Sequence, residues 1–300
     1  MLARCEWKTA RDQDGFALVV VIWAIGAVSL LFTTYIAAAR YRAIEAFAIS
    51  QQARAEAFAN AGVNLAIIEL LSSASKQDAP ATRFKWTGIP VLCSMDVRSV
   101  VAIAVTNENG KVDIDTAPPD LLEAVIRGTT SDDKHARTVT RSILKVREAL
   151  RGTGSGSNGD DVSKLQRLKA FKSVMELGSI PGITQEEFSD LSFLVTVHSR
   201  SPGVNPRLAS PALLDVLTRG TAQSRLPGNE ASSSFFVAEA PGKVFKIATE
   251  AVIASGVRFA RDAIVELAQG PPLTYSIREW REGSLRAAPR PGADKSLRPC

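Results

Sequence analysis

The residue types that most often carry catalysis are scarce in this chain of 300 residues. It has two histidines, His135 and His198, and neither has a cysteine or carboxylate at the spacing of a metal-ligand set. No Gly-x-Ser-x-Gly motif occurs, which would place a nucleophilic serine at a sharp turn. The sequence therefore predicts that the protein is not an enzyme. Each histidine is interpreted as a solvent-exposed or core side chain.

A long apolar segment near the start of the chain is the most distinctive feature. No charged side chain occurs from Phe16 through Ala39, and a helix needs about 20 such residues to cross a bilayer. The run is too long for the apolar region of a secretory signal, about 7–15 residues, and no small-residue cleavage site closes it. It predicts a single-pass membrane anchor. Positive charges on its two sides match, so they do not set the orientation.

The elements after this segment alternate between helix and strand patterns. Arg42 to Leu71 is rich in good helix formers and lacks proline, which predicts that the helix continues past the membrane. Its predicted packing face is an apolar stripe of Ile44, Phe47, Phe58, Ala61, Leu65 and Ile68. Val91 to Ile114 predicts strands, with a turn at Asn107–Gly110 in which Gly110 takes a positive φ.

Strand patterns return after Ser234, with a hairpin predicted across Pro241-Gly242 and a further strand in VRFARDAIVELAQ. Because sheet residues flank the helical region from Pro118 to about Thr218, that region is predicted to be inserted into an α+β head.

The helical region contains a near-repeat. VDIDTAPPDLLEAV, from Val112, and VNPRLASPALLDVL, from Val204, align at one fixed offset. Each predicts an extended segment, a proline in the first helical turn (Pro119 and Pro211) and a Leu-Leu pair for a core. FKSVMELGSIPGITQEEFSDL predicts a helix-hairpin-helix unit: a helix C-capped at Gly178, a tight turn, and a second helix with a capping box of Thr184 and Glu187.

The net charge of +5 and the pI of about 9.2 come from a diffuse excess of basic residues. Part of it lies in the last stretch, GSLRAAPRPGADKSLRPC, which is rich in Pro, Gly and Arg. This composition predicts a disordered, solvated tail from 283 to 300.

The N-terminal pattern resembles type IV pilins and type II secretion pseudopilins. A short polar leader ends in Gly15, and the apolar helix opens with Phe16. The fifth residue of the mature chain implied by this junction is Val20, where most pilins have Glu. Lack of that Glu is a feature of one pseudopilin class, the type II secretion system protein K family (minor pseudopilin K, or general secretion pathway protein K).

Further stretches resemble the same family in the same order. They are NENGKVDIDTAPPDLL, MELGSIPGIT, VNPRLASPALL and the late REW at 278–280. In the family's motif at the start of the inserted domain, Asn107 stands here for the first Asp. Asp113 and Asp115 stand where Asn is usual.

The resemblance implies an α+β fold. A long N-terminal transmembrane and amphipathic helix packs on a pilin-like antiparallel sheet, with a large inserted all-α domain of the helix-hairpin-helix or SAM-like type. It implies these segments: leader 1–15, transmembrane helix 16–39, amphipathic continuation 40–72, first part of the head 73–116, inserted helical domain 117–218, second part of the head 219–282 and tail 283–300.

The resemblance also implies a role: a minor pseudopilin at the tip of the type II secretion pseudopilus, in the inner membrane with its head in the periplasm. Prepilin peptidase is expected to cut between Gly15 and Phe16, with N-methylation of Phe16. The implied partners are minor pseudopilins I and J and the major pseudopilin, without nucleic acid. Val20 fits a tip subunit, because in most pilins the Glu at this position is thought to meet the amino terminus of the subunit assembled before it.

No cofactor is assigned from the sequence, although some members of the family bind calcium in the head. Oxygen ligands are available at Asp160, Asp161, Glu230 and Glu239, but no EF-hand spacing is present and no metal ligand is assigned. Cys5 lies in the leader, whereas Cys93 and Cys300 remain after processing. A bridge between these two is chemically allowed in an oxidising periplasm but is not required.

Two other functions stay open at this point. A membrane-anchored helix-hairpin-helix protein could bind DNA or sit at the tip of a type IV pilus, because such turns hold DNA backbones through main-chain N–H groups. Acidic residues flank the turn and disfavour phosphate: Glu176, Glu186, Glu187 and Asp190. The other alternative is an ordinary bitopic protein that keeps its first residue in the membrane.

Overall fold

The computed structural model describes residues 14–75, 83–130, 132–152, 171–222, 235–237, 242–268, 274–289 and 297–300. The chain divides into two compact units, Met1–Arg54 and Ala55–Cys300. One helix, α1 (Asp14–Ser75, 62 residues), contributes to both units. It contains the single candidate membrane span that the described residues offer, judged by length and apolar composition.

The second unit contains a five-stranded antiparallel sheet in the order β1-β2-β5-β6-β7. Its strands are β1 (Val91–Cys93), β2 (Ser99–Asn107), β5 (Val244–Ile253), β6 (Arg258–Leu267) and β7 (Tyr275–Glu282). β2 and β5 pair along their length from Ser99↔Ile253 to Asn107↔Phe245, although more than 130 residues separate them. The chain between them therefore forms an insertion in the sheet.

The insertion is mainly helical. It contains α2 (Pro119–Thr130), α3 (Asp133–Gly152), α4 (Gln185–Leu194) and α5 (Pro211–Ala222), so the last helix extends past Thr218. A short parallel pair, β3 (Val112–Asp113) with β4 (Val195–Thr196), and 3₁₀ turns at Glu108–Gly110 and Val174–Ser179 complete it. The insertion has a hydrophobic core of its own, distinct from the core between α1 and the sheet.

The face of α1 that packs on the sheet differs from the predicted stripe. The buried apolar side chains of this helix are Ala55, Ala59, Val63, Ala66, Ile67 and Leu70, whereas the predicted Ile68 is 61% exposed. This face carries small residues because the helix lies close to the sheet: a Cβ on Gly62 would be only 3.1 Å from the Val101 side chain of β2. In the first unit, the predicted Ile44 and Phe47 are exposed as well.

The predicted hairpin across Pro241-Gly242 is wrong. Phe236 forms a parallel bridge with Val204 of the insertion, and Val204 N–H donates to the Phe235 carbonyl oxygen at 2.9 Å. Pro241 lies outside the described residues. The hairpin in this region instead joins β5 to β6 through Gly256, whose φ of 83° suits a glycine.

The prediction of a disordered tail is corrected for residues 283–289 and 297–300. Ala287 and Ala288 N–H groups donate to the Glu250 carboxylate at 2.6 and 2.8 Å, and Ala288 is buried against the sheet. Cys300 forms a disulfide with Cys93 of β1. Composition alone missed these partners because they are distant in sequence.

Candidate functional site

The first candidate site is the start of α1. Gly15 and Phe16 lie in its first turn, since the helix begins at Asp14, and Val20 follows about one turn later. Phe16 is 76% exposed and Val20 is 49% exposed. After Asp14 the helix has no acidic side chain until Glu45, so its surface there is apolar. Residues 1–13 of the predicted leader, including Cys5, lie outside the described residues.

The second candidate site is the junction between sheet and insertion, formed by Asn107–Lys111. Asn107 Nδ2 donates to the Gly242 carbonyl oxygen at 2.8 Å, so the segment that enters the insertion is bonded to the segment that leaves it. The Asn109 carbonyl oxygen accepts from Asn205 N–H at 2.9 Å. Gly110 does not take a positive φ, contrary to the prediction. It is needed because a Cβ there would lie 2.3 Å from the Leu208 carbonyl oxygen.

A buried ion pair lies in this junction. Lys111 Nζ is 2.7 Å from Glu108 Oε1, and the Glu108 side chain is 2% exposed. Burial lowers the pKa of Lys111 below its ordinary value; Glu108 opposes this effect, and nearby Lys246 adds to it. Burying the two charges costs desolvation energy, which their mutual attraction offsets only while both are present.

Asp113 and Asp115 act as hydrogen-bond acceptors. Asp113 Oδ2 accepts from Arg200 N–H at 2.7 Å and from Ser199 Oγ at 3.1 Å. Asp115 Oδ1 accepts from Phe171 N–H at 3.1 Å. Arg200 has a φ of 55°, which is strained for a residue with a side chain. The bond to Asp113 compensates for this conformation.

A cleft of about 310 Å³ separates part of the insertion from the sheet. Phe188 and Phe193 line it from the insertion, and Lys246 and Asp262 line it from the sheet. Asp262 Oδ2 contacts Lys246 Nζ at 3.0 Å. His198 Nε2 lies 3.0 Å from Glu279 Oε1 of β7. The first contact joins neighbouring strands β5 and β6, whereas the His198–Glu279 contact joins the insertion to the sheet.

The histidines have carboxylate partners that sequence spacing could not show. In addition to His198 with Glu279, His135 Nε2 lies 2.7 Å from Glu187 Oε1, linking α3 to α4. Among the described residues, no group of three or more His, Cys, Asp or Glu is arranged to hold a metal ion. The four calcium candidates, Asp160, Asp161, Glu230 and Glu239, lie outside the described residues, so the structure does not test them.

The predicted hairpin has a different first half. Val174–Ser179 is a 3₁₀ turn instead of an α-helix, and Gly182, instead of Gly178, has the positive φ, of 99°. The predicted capping box is confirmed: Thr184 Oγ1 accepts from Glu187 N–H, and Glu187 Oε2 accepts from Thr184 N–H. The Glu187 carboxylate therefore bonds to groups of this chain, Thr184 N–H and His135.

The near-repeat corresponds to two helices that pack on each other, α2 and α5. Both begin at the predicted prolines. A Cβ built on Gly128 would lie 2.0 Å from the Val216 carbonyl oxygen, and one on Gly220 would lie 1.9 Å from the Ala124 carbonyl oxygen. The two glycines are related by the repeat offset, so the contact is reciprocal. Extending the repeat alignment past the Leu-Leu pairs could have found both.

No protein-family model matches this chain, and no curated protein matches it. Among solved structures, it is similar to a chain in the crystal structure of the GspK–GspI–GspJ complex from the type 2 secretion system of enterotoxigenic Escherichia coli. The TM-score is 0.54 at 12% identity, covering 79% of this chain and 99% of that chain. At this identity the similarity shows the fold alone. The protein shares the α+β fold of that chain and has a long apolar N-terminal helix.

Proposed function

We propose that the protein is a minor pseudopilin at the tip of the type II secretion pseudopilus, where it starts or caps the fibre and has no enzymatic role. One observation carries the proposal. A membrane-length apolar helix without a carboxylate at Val20 continues into a pseudopilin-like head whose sheet is interrupted by a large insertion.

The missing carboxylate has a physical meaning in a fibre. An ionised side chain within the bilayer costs several kcal/mol unless a partner neutralises it. A subunit with no predecessor has no neighbouring amino terminus to supply that partner. An apolar Val20 is therefore the lower-energy choice for a first subunit.

The insertion supports the same role because side-chain contacts hold it against the sheet. The Asn107 bond to Gly242 joins the two ends of the insertion, and the His198–Glu279 contact joins it to β7. A bulky domain held in this way would obstruct a further subunit stacked above it. In a tip subunit this obstruction carries no cost.

Processing and location follow from the same proposal. Prepilin peptidase would cut between Gly15 and Phe16, and the new amino group of Phe16 would be methylated. The chain would stay in the inner membrane with its head in the periplasm. The Cys93–Cys300 disulfide fits that compartment, which is oxidising. Calcium binding in the head is proposed on the family resemblance, with no ligand assigned.

The partners proposed are minor pseudopilins I and J and then the major pseudopilin. The test is reconstitution of the full-length chain in detergent with I and J from the same genome at micromolar concentration. A stable ternary complex on size exclusion is expected. A chain that elutes alone in the presence of both would contradict the proposal. A DNA titration in the same buffer is expected to show no salt-sensitive binding.

A further inference from the structure

Residues 297–300 cross one edge of the five-stranded sheet from face to face. Leu297 packs in a cluster with Val100 and Ala102 of β2, whose side chains alternate along the strand with those that face α1. Cys300 packs on the other face, against the core between α1 and the sheet. The strand at this edge is the short β1. Residues 297–300 therefore wrap around β1.

Backbone hydrogen bonds join this wrap to the end of β1. Ser94, which directly follows β1, forms a parallel bridge with Pro299. Ser94 N–H donates to the Arg298 carbonyl oxygen at 2.9 Å, and Cys300 N–H donates to the Ser94 carbonyl oxygen at 3.0 Å. Arg83 Nη1 donates to the Cys300 carbonyl oxygen at 2.9 Å. The wrap thus occupies backbone groups that an edge would otherwise offer to an added strand.

Residues 285–288 are held on the sheet by a separate set of contacts. The Glu250 side chain of β5 is fully buried, and its carboxylate accepts from Ala287 N–H at 2.6 Å and from Ala288 N–H at 2.8 Å. Arg258 Nη1 donates to Glu250 Oε1 at 2.9 Å and to the Ala288 carbonyl oxygen at 3.0 Å. Hydrogen bonds to a buried charge are strong, so this segment does not depend on a covalent bond.

The non-covalent contacts of residues 297–300 are weaker. Arg298 and Pro299 are exposed, and Leu297 and Cys300 are only half-buried. Fixing the backbone of a residue costs about as much free energy as one net hydrogen bond returns, and ordering its side chain adds to that cost. The hydrogen bonds of the wrap therefore do not exceed the entropy lost in forming it. The disulfide between Cys93 and Cys300 decides whether the wrap persists.

We propose that Cys93 and Cys300 form a redox latch. Their oxidation fastens residues 297–300 around β1, and their reduction releases these residues while the sheet and residues 285–288 stay in place. Exchange begins at the Cys300 sulfur, because Cys93 is 3% exposed whereas Cys300 is half-buried. This inference goes beyond the tip role and does not depend on it.

Closing the latch is a thiol–disulfide exchange with an oxidised donor that carries a disulfide. The Cys300 thiolate attacks one donor sulfur, so that a mixed disulfide forms and the other donor sulfur leaves as a thiol. The Cys93 thiolate then attacks the Cys300 sulfur and displaces the second donor thiol. The donor gains two electrons and the two thiol protons. Opening is the reverse reaction, in which a dithiol reductant first attacks the Cys300 sulfur.

Hydrogen exchange of the full-length chain in detergent tests the release. The chain is held either in oxidised glutathione or in dithiothreitol. Reduction is expected to speed exchange at least about tenfold in peptides that contain Ser94 and Cys300, and to leave β2, β5 and Ala288 unchanged. Cys300→Ser should show the fast exchange in both conditions. Cys5→Ser is the matched control, and it should respond to reduction as the wild type does.

Glutathione uptake tests which sulfur reacts first. In the Cys5→Ser background, Cys93→Ser leaves Cys300 as the one thiol, and Cys300→Ser leaves Cys93. With oxidised glutathione, Cys300 is expected to form the mixed disulfide at least about tenfold faster than Cys93, because Cys93 faces the core beneath α1. Faster uptake at Cys93 would overturn the proposed order of attack.

Three outcomes overturn the latch itself. Equal protection of Ser94 and Cys300 in both conditions would show that the wrap holds without the bond. Loss of protection in β2 and β5 on reduction would show that the disulfide supports the whole sheet and not the wrap alone. Free thiols at both residues in oxidised glutathione would show that the bond does not form. Partner binding is not measured in these experiments, so their failure and the failure of the tip role are separate results.

Discussion

Replacing Gly220 by alanine tests the close approach of α2 and α5 in the insertion. A Cβ at Gly220 would overlap the Ala124 carbonyl oxygen, at a separation of 1.9 Å against a practical limit of 3.0 Å. The helices would have to separate by about 1 Å to admit it, and a gap of that size forfeits a quarter to a half of each dispersion contact. Buried Leu121 and Leu213 would lose such contacts.

The sign of the effect follows from two opposed magnitudes. Alanine is favoured over glycine within a helix by about 1 kcal/mol. Overpacking a close contact costs about 1–3 kcal/mol, and more where backbone atoms must shift. Because the obstacle here is a backbone carbonyl, a net loss of about 2 kcal/mol is expected. Gly128→Ala should cost a similar amount, since its contact is the reciprocal one.

Hydrogen exchange measures this loss within the insertion. Tryptophan fluorescence is unsuitable because no tryptophan occurs between 87 and 279. Amides of α2 and α5 in Gly220→Ala should exchange about thirtyfold faster than in the wild type, and those of β5 and β6 should be unchanged. Gly178→Ala is the control, since its Cβ would meet Phe188 at an ordinary 3.6 Å. Equal or slower exchange in Gly220→Ala would refute the reciprocal contact.

Three further predictions concern buried charge, the disulfide and the membrane helix. Lys111→Met should lower the free energy of unfolding, measured in urea, by about 3–5 kcal/mol, because Glu108 is left buried without its partner. The double variant Glu108→Gln/Lys111→Met should recover most of this loss. A loss in the double variant equal to the sum of the two single losses would contradict the ion pair. Because burial lowers the pKa of Lys111, the unfolded chain binds more protons at this residue between the lowered and ordinary pKa. The contribution of this residue to stability should therefore rise with pH in that window, as urea midpoints would show. Cys300→Ser removes a link to Cys93 across 207 residues and should cost about 5 kcal/mol by the chain-entropy estimate, with no loss measured under reducing conditions. Val20→Glu should not improve secretion or fibre assembly, whereas Val20→Leu should be neutral, and placement of the Glu variant along the fibre body would contradict the tip role.

Local patterns predicted the starts of two helices and one capping box in the insertion. The repeat located the first residues of α2 and α5, because a proline in the first helical turn and a Leu-Leu pair are properties of adjacent residues. The capping box at Thr184 was predicted for the same reason. Which faces meet could not be predicted in this way. Gly128 and Gly220 acquire their meaning only when the two helices touch.

Long-range partners explain most of the errors. The apolar stripe on α1 was out of phase because close approach to the sheet favours Ala59 and Ala66 over the larger Ile68. The tail was predicted to be disordered because its composition shows neither the Glu250 carboxylate nor Cys93. The proposed processing site at the start of α1 rests on sequence resemblance alone.

The most direct test of the tip-subunit account is the N-terminal sequence of the chain isolated from membranes of cells that contain prepilin peptidase. The account predicts a polypeptide that begins at Phe16, with a methylated amino group, and that retains the apolar helix. A purified chain that still begins at Met1 in those cells would contradict it.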